Sequence, residues 1–398
     1  MTGVEGRSIL YLASSVFARG GIQRYTRYQI NACRDALPNA TVTVLTVNRR
    51  GPDDFEGDFQ VDFSPSHGGP LRKLEFVARA LVEGLGRGYD VVWANHISLA
   101  PLAVICSSCS RGAYTIANVY GHEVWTDVSP LRRWALCSVD RVISDCRFTA
   151  RYVCETLGVD NHRVDVHWDP VDVTRFRPLD VDPADVLAKY GMSVTEGDFL
   201  VLTLGRVSKT SRHKGYWRML DVVSEIVDSH IRYVIAGGGD DVQSLRTAVA
   251  ARGLAGRVAV LGPVSEADLA SVYNCADVFV LVSDRGHARG EGVPLTPLEA
   301  AACGVPVIVG DEDGSQELVD AGVGGYVVSP WDRTALRERI ELLAGNPRLR
   351  QRLGAVARSG VVGSFSLQRF REQVLATTSA GLGNGASDSV GHDGKLSG

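Results

Sequence analysis

The sequence predicts two α/β domains, each built on a doubly wound parallel sheet. Short apolar runs alternate with amphipathic helical stretches through almost the whole chain, which is typical of parallel sheets covered by helices. The chain has 398 residues, which is too many for one ordinary domain and suits two. A stretch rich in Asp and Pro, residues 170–183, separates two halves that share this alternation.

The apolar runs and helical patterns follow one another in a regular order. In the first half, the predicted strands are residues 8–13, 41–46, 90–94, 113–119, 141–144 and 163–167, and in the second half 199–204, 232–236, 257–261, 277–282 and 305–309. Helical patterns lie between them, among them 21–36, 71–85, 147–157, 216–229, 242–251 and 266–273, and three more close the chain at 333–344, 347–359 and 367–376. Because ligands bind beyond the carboxyl ends of parallel strands, we expect the functional residues in the loops that follow strands.

These elements predict an N-terminal domain at residues 1–178, a C-terminal domain at 179–363 and a closing helix at 364–378. Residues 379–398 are rich in Gly, Ser and Asp and have almost nothing to bury. We therefore expect a disordered tail there.

Composition narrows the class of protein. The chain is 45% hydrophobic and 22% charged, which is typical of a soluble globular protein, and its net charge of −4 argues against a nucleic-acid partner. The apolar run at 9–13 is too short for a signal core, and no run approaches the roughly 18 apolar residues of a membrane span. The eight cysteines are scattered rather than spaced as a disulfide framework, and the one close pair, Cys106 and Cys109, is interpreted as core thiols. We therefore expect a cytoplasmic protein.

Two glutamates eight positions apart form the most informative motif. Glu291 lies among glycines in an irregular segment after an apolar run, where binding residues tend to concentrate. Glu299 lies in a short predicted helix that has Thr296 as its N-cap and Pro297 as its first residue, and Gly304 ends this helix. Backbone N–H groups at a helix start favour an anion, so the motif suits a phosphorylated ligand. Thr-x-x-Glu is also a capping box, which leaves a purely structural role for Glu299 open.

A basic loop follows the predicted strand at 199–204. It carries two Arg, two Lys and one His. Arg offers a planar fork for phosphate oxygens and Lys a mobile point charge, so Arg206 and Lys214 are candidate phosphate ligands. Lys214 is favoured over Lys209 because it directly precedes a glycine and a helix, and the role of Arg212 is left open. A solvated basic loop is the alternative.

Two glycine-rich turns also follow strands. Gly237, Gly238 and Gly239 end one strand in the second half, and Gly20 and Gly21 precede a helix in the first half. Glycines allow a close backbone approach to a ligand, and a glycine pair at a helix N-terminus can cradle a phosphate. A plain tight turn is the alternative for each.

Polar and aromatic residues gather after the strand at 113–119. Tyr120, His122, Glu123 and Trp125 lie within six positions of one another. His122 suits a contact with a sugar hydroxyl or phosphate, and the aromatic rings suit stacking on a sugar. The alternative is that Trp125 packs on the core.

Together these residues resemble the group-one retaining glycosyltransferases, which have the GT-B fold. The resemblance runs from Gly20 to about Phe370. Its most specific part is the spacing of Glu291 and Glu299, which is similar to the family's Glu-x7-Glu signature. The other landmarks are Gly205-Arg206, Lys214-Gly215, residues 237–239, Asp169-Pro-Val-Asp172, Phe176 and Gly304-Val-Pro306.

The resemblance implies two Rossmann-like domains that face an interdomain cleft, with the closing helix crossing back to the N-terminal domain. It also implies a nucleotide diphosphate sugar donor held mainly by the C-terminal domain. Arg206 and Lys214 would bind the diphosphate and stabilise the departing nucleotide. Glu299 would hold the ribose hydroxyls, and Glu291 would lie near the donor sugar.

The resemblance assigns the first half a smaller part in the site. His122 or Tyr120 would align with the family's residue near the anomeric carbon, and which of the two does so is left open. Tyr120, Glu123 and Trp125 are expected on the acceptor side. The remaining donor-side candidates are Gly20, Gly21, Gly237, Gly238, Val293, Leu295 and Thr296.

The expected chemistry needs no metal and no cofactor. Asp180 and Asp182 form an Asp-x-Asp pair, but they lie in the linker rather than in a Mg²⁺-binding loop. Charge on the leaving group would then be met by the basic loop and the helix N-terminus, although Pro294 and Pro297 remove two backbone donors there. Retention implies attack from the same face as the leaving phosphate, which takes the acceptor proton.

The leading interpretation is a retaining hexosyltransferase that moves a sugar from a nucleotide diphosphate donor to an acceptor hydroxyl in glycan, polysaccharide or glycolipid biosynthesis. A nucleotide-sugar epimerase, a phosphorylase and a non-catalytic nucleotide-sugar-binding protein are the alternatives. Basic and apolar residues interleave at 71–79 and 131–136, which suits either ordinary amphipathic helices or contact with the inner face of an anionic membrane. The expected acceptor is a sugar or a lipid-linked glycan.

Overall fold

The chain folds into two compact units. The computed structural model describes residues 7–18, 20–51, 54, 57–110, 112–285 and 290–381. The second unit is Val171–Ser366, and the first contains the described residues up to Pro170 and again from Leu367.

Both boundaries differ from the predicted ones, which fell after residues 178 and 363. The N–H of Val171 donates to the carbonyl of Phe365 (2.8 Å). The Arg358 guanidinium donates to the carbonyls of Val173 and Phe176 (3.0 and 2.8 Å). These hydrogen bonds tie the segment before residue 178 to the second unit, so the linker composition marked the right region but not the residue at which the units divide.

A parallel six-stranded sheet forms the centre of the described part of the first unit. Its strands are β1 (Ser8–Ala13), β2 (Thr41–Thr46), β3 (Val91–Ala94), β4 (Tyr114–Val119), β5 (Arg141–Ser144) and β6 (Val164–Val166), in the order β2-β1-β3-β4-β5-β6. The helices are α1 (Gly21–Ala36), α2 (Leu71–Gly86), α3 (Ala100–Cys109), α4 (His122–Trp125), α5 (Pro130–Ser138) and α6 (Arg147–Leu157). Every strand predicted in this half is present.

Strand β1 shows why both faces of this sheet are covered. Leu10 and Leu12 pack in one apolar cluster, whereas Ile9 and Tyr11 pack in another, and all four are fully buried. Successive side chains of a strand point to opposite faces, so helices must cover both. This confirms the doubly wound architecture that the alternating pattern predicted.

The second unit, in its described residues, has a second parallel six-stranded sheet. Its strands are β7 (Phe199–Leu204), β8 (Ile231–Ala236), β9 (Val258–Gly262), β10 (Val278–Leu281), β11 (Val307–Val309) and β12 (Gly325–Val327), in the order β12-β11-β10-β7-β8-β9. The helices are α7 (Pro183–Ala188), α8 (Tyr216–Glu225), α9 (Val242–Ala251), α10 (Leu269–Asn274), α11 (Leu295–Ala302), α12 (Glu317–Asp320), α13 (Arg333–Ala344) and α14 (Pro347–Ser364).

Strand β12 and helix α7 were not predicted from the sequence. Strand β12 contains a glycine and partly exposed residues, so it presents no apolar run. Helix α7 begins inside the linker, where Asp182 accepts the N–H of Ala184 (2.8 Å) and Pro183 occupies the first helical position. Both are short, and neither changes the class of fold.

Strands β7 and β10 are neighbours at the centre of the second sheet, and the strand order runs in opposite directions on their two sides. The loops after two such strands separate and leave a crevice, which is where ligands bind in open α/β sheets. The loop after β7 is the basic loop, which contains a 3₁₀ segment, Lys209–Lys214. The segment after β10 leads to Glu291. The two most informative parts of the sequence therefore meet at one edge of one sheet.

Helix α15 (Leu367–Gly381) belongs to the first unit and packs against α1. Its Thr377 hydroxyl hydrogen-bonds His167 Nε2 (3.1 Å), and Phe370 is buried in the core. The helix continues past residue 378, so the prediction of disorder from residue 379 is wrong for the three residues up to Gly381. The rest of the predicted tail lies outside the described residues. No helix in the described ranges has the length and apolar composition needed to cross a bilayer.

Candidate active site

The glycine triplet after β8 packs against the start of the basic loop. A Cβ on Gly237 would lie 1.7 Å from the Gly205 carbonyl oxygen, and one on Gly239 would lie 2.1 Å from the Val207 carbonyl oxygen. The N–H of Val207 also donates to the carbonyl of Gly238 (2.9 Å). The predicted close backbone approach is therefore present, but the backbone that approaches is the protein's own. Ligand contacts by Gly237 and Gly238 stay predictions.

Arg212, whose role the sequence left open, holds the basic loop to the start of α9. Its guanidinium makes two hydrogen bonds to the Asp241 carboxylate, at 2.6 and 2.8 Å, and lies 4.8 Å from the centre of the Trp217 ring. The Trp217 indole N–H donates to the same carboxylate (3.2 Å). Asp241 is buried, so these contacts compensate its charge and fix the loop.

Lys214 and Glu291 meet in the crevice between the two loops. Lys214 Nζ lies 2.5 Å from Glu291 Oε1, and His213 Nε2 lies 3.2 Å from the same oxygen. The Lys214 and Glu291 side chains are 16% and 18% exposed, so both remain reachable by solvent or a ligand. His213 is a site residue to which the sequence gave no role, and its position directly before Lys214 was the available signal.

The charge of Glu291 is set by these neighbours. Burial alone would raise its pKa, but the Lys214 charge and the hydrogen bonds from His213 and Lys214 outweigh burial and lower the pKa to about 2. Glu291 is therefore a carboxylate at neutral pH.

The backbone of Glu291 is fixed by the segment after β11. Its N–H donates to Asp313 Oδ2 (2.8 Å), and its carbonyl accepts the N–H of Gly314 (3.1 Å). Asp313 Oδ1 accepts the N–H of Ser315 (2.9 Å). Asp313 is fully buried, and burial raises its pKa to about 7. This arrangement holds the loop that carries Glu291 in one conformation.

Helix α11 begins earlier than predicted. It starts at Leu295, and Pro294 occupies the N-cap with an extended backbone (φ −71°, ψ 136°). Thr296 and Pro297 are therefore the second and third helical residues, and Glu299 is the fifth. The predicted N-cap at Thr296 and the capping box are wrong, because a capping glutamate must lie at the third position.

The end of α11 confirms the predicted stop at Gly304. Gly304 has φ +83°, and its N–H donates to the carbonyl of Ala301 (2.9 Å). The N–H of Val305 donates to the carbonyl of Ala300 (3.1 Å), which completes a Schellman motif.

Glu299 is 3% exposed and accepts a hydrogen bond from the Tyr273 hydroxyl (2.7 Å). The Tyr273 ring packs edge-on against Phe176, with 5.9 Å between ring centres. Val293, in the preceding loop, is also buried. The sequence did not single out Tyr273, and its distance along the chain from Glu299 left no local signal.

Arg206 lies at the end of β7 with an exposed side chain. Its guanidinium makes no hydrogen bond or ion pair with any residue in the described ranges. Unlike Arg212, it is therefore an uncompensated cation on the loop that carries Lys214.

In the first unit, Gly20 is the N-cap of α1 and Gly21 its first residue, directly after the β1 loop. This matches the predicted position at a helix N-terminus.

Tyr120 follows β4, and its ring is buried between Tyr25 and His96.

The cluster after β4 only partly matches the prediction. Glu123 accepts the N–H of Tyr120 (2.5 Å), and His122 is exposed at the start of α4. The Trp125 ring is buried in the core and packs edge-on against Phe148. The prediction that Trp125 stacks on a sugar is wrong, because the apolar indole is already covered by its own unit.

No group of three or more His, Cys, Asp or Glu side chains in the described part of the chain is arranged to hold a metal ion. Of the two cysteines interpreted as core thiols, Cys106 is buried, and burial raises its pKa to about 12, whereas Cys109 is partly exposed. The interpretation is confirmed for Cys106 and is wrong for Cys109.

Comparison with known proteins gives the family. The model described as Glycosyl transferases group 1 matches residues 193–360, and the model described as Glycosyltransferase Family 4 matches residues 19–175. The two matches together span most of the chain.

Two relatives with related names cover most of the chain. The chain is 29% identical to a GDP-mannose-dependent alpha-(1-6)-phosphatidylinositol monomannoside mannosyltransferase of Mycolicibacterium smegmatis, over 85% of this chain and 90% of the relative. It is 26% identical to a GDP-mannose-dependent monoacylated alpha-(1-6)-phosphatidylinositol monomannoside mannosyltransferase of Corynebacterium glutamicum, over 72% of this chain and 76% of the relative.

Among solved structures, Anabaena HepE in complex with UDP and glucose matches with a TM-score of 0.73 and 18% identity, over 94% of this chain and all of the other. This similarity shows the fold, and the family models agree with it. The chain belongs to the group 1 glycosyltransferases and has a two-domain α/β GT-B fold.

Proposed function

We propose that this glycosyltransferase transfers mannose, with retention of configuration and without a metal ion, from GDP-mannose to a hydroxyl of an anionic inositol glycolipid. The observation that carries the proposal is the meeting of Lys214 and Glu291 at the point where the strand order reverses. The names of the two relatives supply the donor and the class of acceptor.

The donor diphosphate suits the uncompensated cation of Arg206 and the mobile cation of Lys214. Lys214 exchanges its partner from Glu291 to a phosphate oxygen. The free N–H groups of Leu295 and Thr296 at the start of α11 add donors, whereas the prolines at 294 and 297 have none. Gly237 and Gly238 stay candidates for close backbone contacts with the nucleotide, as do Gly20 and Gly21 in the first unit.

The rest of the donor is assigned to the two glutamates. Glu291 is an ionised acceptor for a hydroxyl of the donor sugar. Glu299, held by Tyr273, is assigned to the ribose hydroxyls. His122, exposed at the start of α4, is the candidate nearest the anomeric carbon, because the Tyr120 ring is buried.

No carboxylate is assigned as a nucleophile in this proposal, so the transfer is written as a single displacement on one face of the donor sugar. The bond between the anomeric carbon and the diphosphate oxygen breaks, and the acceptor oxygen bonds to the same face. The acceptor proton passes to an oxygen of the departing diphosphate. Arg206 and Lys214 stabilise the charge that develops there. The names of both relatives include an alpha-(1-6) linkage, and the mannose of GDP-mannose is itself alpha-linked, which agrees with retention.

Exposed apolar and basic side chains on the first unit support a glycolipid as the acceptor. Leu74 and Leu85 of α2 and Trp134 of α5 are 67%, 70% and 51% exposed. Lys73 and Arg132 are exposed beside them in sequence. Helices α2 and α5 both pack against α3, so we name α2 and α5 the apolar–basic surface. Apolar side chains interleaved with cations favour an anionic bilayer, where a glycolipid acceptor resides.

A panel of donors tests the activity. Purified protein is incubated with GDP-mannose, UDP-glucose, UDP-galactose or UDP-N-acetylglucosamine, with vesicles that do or do not contain phosphatidylinositol monomannoside. We expect release of GDP and a mannosylated lipid only when GDP-mannose and the acceptor are both present. Donor binding with no release in any combination would contradict the proposal and favour a binding protein. Conversion of the donor sugar without acceptor would favour an epimerase.

Sedimentation with vesicles tests the surface separately. Wild-type protein should bind vesicles that contain phosphatidylglycerol more strongly than vesicles of phosphatidylcholine alone. The double substitution Leu74→Glu and Leu85→Glu should abolish this binding. Val227→Glu is the matched control, because Val227 is 93% exposed but lies in the second unit. Equal vesicle binding by all three proteins would contradict the membrane assignment while leaving the transfer activity untouched.

A further inference from the structure

The backbone carbonyl of His213 is held by residues at the end of β10. Its carbonyl accepts the N–H of Asp284 (2.8 Å) and a guanidinium N–H of Arg218 (3.2 Å). Arg218 also donates to the Val282 carbonyl (2.8 Å) and pairs with the Asp284 carboxylate. The imidazole itself is only 13% exposed. His213 is therefore fixed to the end of β10 before any ligand arrives.

The hydrogen bonding assigns the ring proton. His213 Nε2 faces Glu291 Oε1, and a carboxylate oxygen can only accept, so Nε2 must carry a proton. His213 Nδ1 is buried and has no hydrogen-bond partner within the described residues. The proton on Nε2 makes the imidazole a hydrogen-bond donor to Glu291.

Both donors converge on one oxygen of Glu291. Lys214 Nζ and His213 Nε2 contact Oε1, whereas Oε2 has no hydrogen-bond partner in the described ranges. The Glu291 side chain is 18% exposed, so a hydroxyl of a ligand can reach Oε2 and donate a hydrogen bond to it.

We propose that His213 is a positioning residue, which retains Glu291 through Oε1 when Lys214 moves to the donor diphosphate and so keeps Oε2 presented to a hydroxyl of the donor sugar. This rests on the proposed function. Lys214 is a long, flexible side chain, and its contact with Glu291 lengthens as it moves towards the phosphate oxygens. His213 is shorter, and its backbone is anchored to the end of β10, so its ring stays beside the carboxylate when Lys214 moves.

A comparison of GDP and GDP-mannose binding isolates this role. Calorimetry gives the dissociation constant of each ligand for wild type, His213→Ala and His213→Gln, with thermal unfolding as a check on folding. In the alanine variant, we expect GDP affinity within about twofold of wild type and a loss of roughly tenfold or more for GDP-mannose, because a hydrogen bond to a charged group orients the sugar ligand. Glutamine keeps an N–H donor and should restore most of the loss.

Three other outcomes overturn the inference. Equal weakening of GDP and GDP-mannose would show that His213 only supports the loop that carries Lys214. No change in either affinity, or no recovery in the glutamine variant, would contradict positioning through a hydrogen bond.

His213→Leu, which fills a similar volume without a donor, supplies the same comparison if the alanine variant does not fold. If wild-type protein binds neither ligand and transfers no mannose, the proposed function fails together with the inference.

Discussion

Lys214 Nζ lies 2.5 Å from Glu291 Oε1 although the two residues are 77 positions apart in the sequence. The loops after β7 and β10 bring them together, because those strands are neighbours in the sheet. Each charge compensates the other in a partly desolvated crevice. The diphosphate of a donor would compete with Glu291 for Lys214. Donor binding would therefore begin by displacing Glu291 from this lysine.

The first prediction concerns acid stability. The pKa of Glu291 is about 2 in the folded protein against an ordinary value of 4.5, so its ionised form stabilises the fold. This contribution is complete above pH 4.5 and is lost as the pH falls through 2. Glu291→Gln should therefore be less stable than wild type at pH 6, and the difference should shrink between pH 4 and pH 3.

Urea unfolding at pH 6, 4 and 3 measures this difference. Glu196→Gln is the control, because Glu196 is exposed in the same unit. A stability difference between wild type and Glu291→Gln that stays constant over this range would contradict the assigned ion pair.

The second prediction concerns the glycine triplet. Gly237→Ala would place a Cβ 1.7 Å from the Gly205 carbonyl oxygen at a backbone φ of +133°. We expect a loss of more than about 2 kcal/mol in the free energy of unfolding, together with weaker GDP binding because the basic loop must shift. Gly256→Ala is the control, since its Cβ would meet nothing within 4 Å. Equal stability of the two variants would show that the close approach is not maintained in solution.

The third prediction concerns the support of Glu291 by Asp313. The Asp313 carboxylate accepts the N–H groups of Glu291 and Ser315. An amide at this position keeps one oxygen acceptor and places its own N–H group opposite one of these backbone N–H groups. Asp313→Asn should therefore cost about 1–3 kcal/mol and raise the KM for the donor, because the Glu291 loop loses a hydrogen bond. Asp311→Asn, at an exposed position two residues earlier, should leave both quantities unchanged. Chemical unfolding and steady-state kinetics measure them, and identical values for the two variants would show that Asp313 does not support the Glu291 loop.

The fourth prediction concerns Arg212. Removing it in Arg212→Ala deprives the buried Asp241 carboxylate of two hydrogen bonds, at 2.6 and 2.8 Å. We expect a loss of about 1–3 kcal/mol in the free energy of unfolding and a higher KM for the donor. Arg252→Ala is the matched control, because Arg252 pairs with the more exposed Asp221 at 3.3 Å and such surface pairs contribute about 0–1 kcal/mol. If both variants lose the same stability, Arg212 does not anchor the loop.

The fold could be predicted almost completely because one signal repeats along the chain. Buried parallel strands need apolar runs, and covering helices need an apolar face, so the alternation indicates both sheets. The elements that were missed carry a weaker signal. Strand β12 begins with Gly325 and is partly exposed, and α7 lies where Asp and Pro indicate a linker.

The site could be predicted only as far as its loops. Lys214 and Glu291 stood out because their residue types are uncommon within glycine-rich turns after strands. Their contact could not be read from either loop alone, since it depends on which strands are neighbours. The start of α11 was misplaced because Thr296 and Pro297 favour a helix start locally, whereas the backbone already turns helical at Leu295. Trp125 was misplaced because an aromatic ring at the end of a strand serves the core and a ligand equally well.

The role of Lys214 in sugar transfer is tested by the rate at which GDP is released from GDP-mannose in the presence of the glycolipid acceptor, compared between wild type and Lys214→Ala. Because removing one donor to a developing negative charge costs roughly 10²–10³ in rate, we expect at least that loss with the fold intact. Lys209→Ala, exposed on the same loop, should retain the wild-type rate. Acceptor-dependent GDP release that is equally fast in Lys214→Ala and in wild type would show that Lys214 does not stabilise the departing diphosphate.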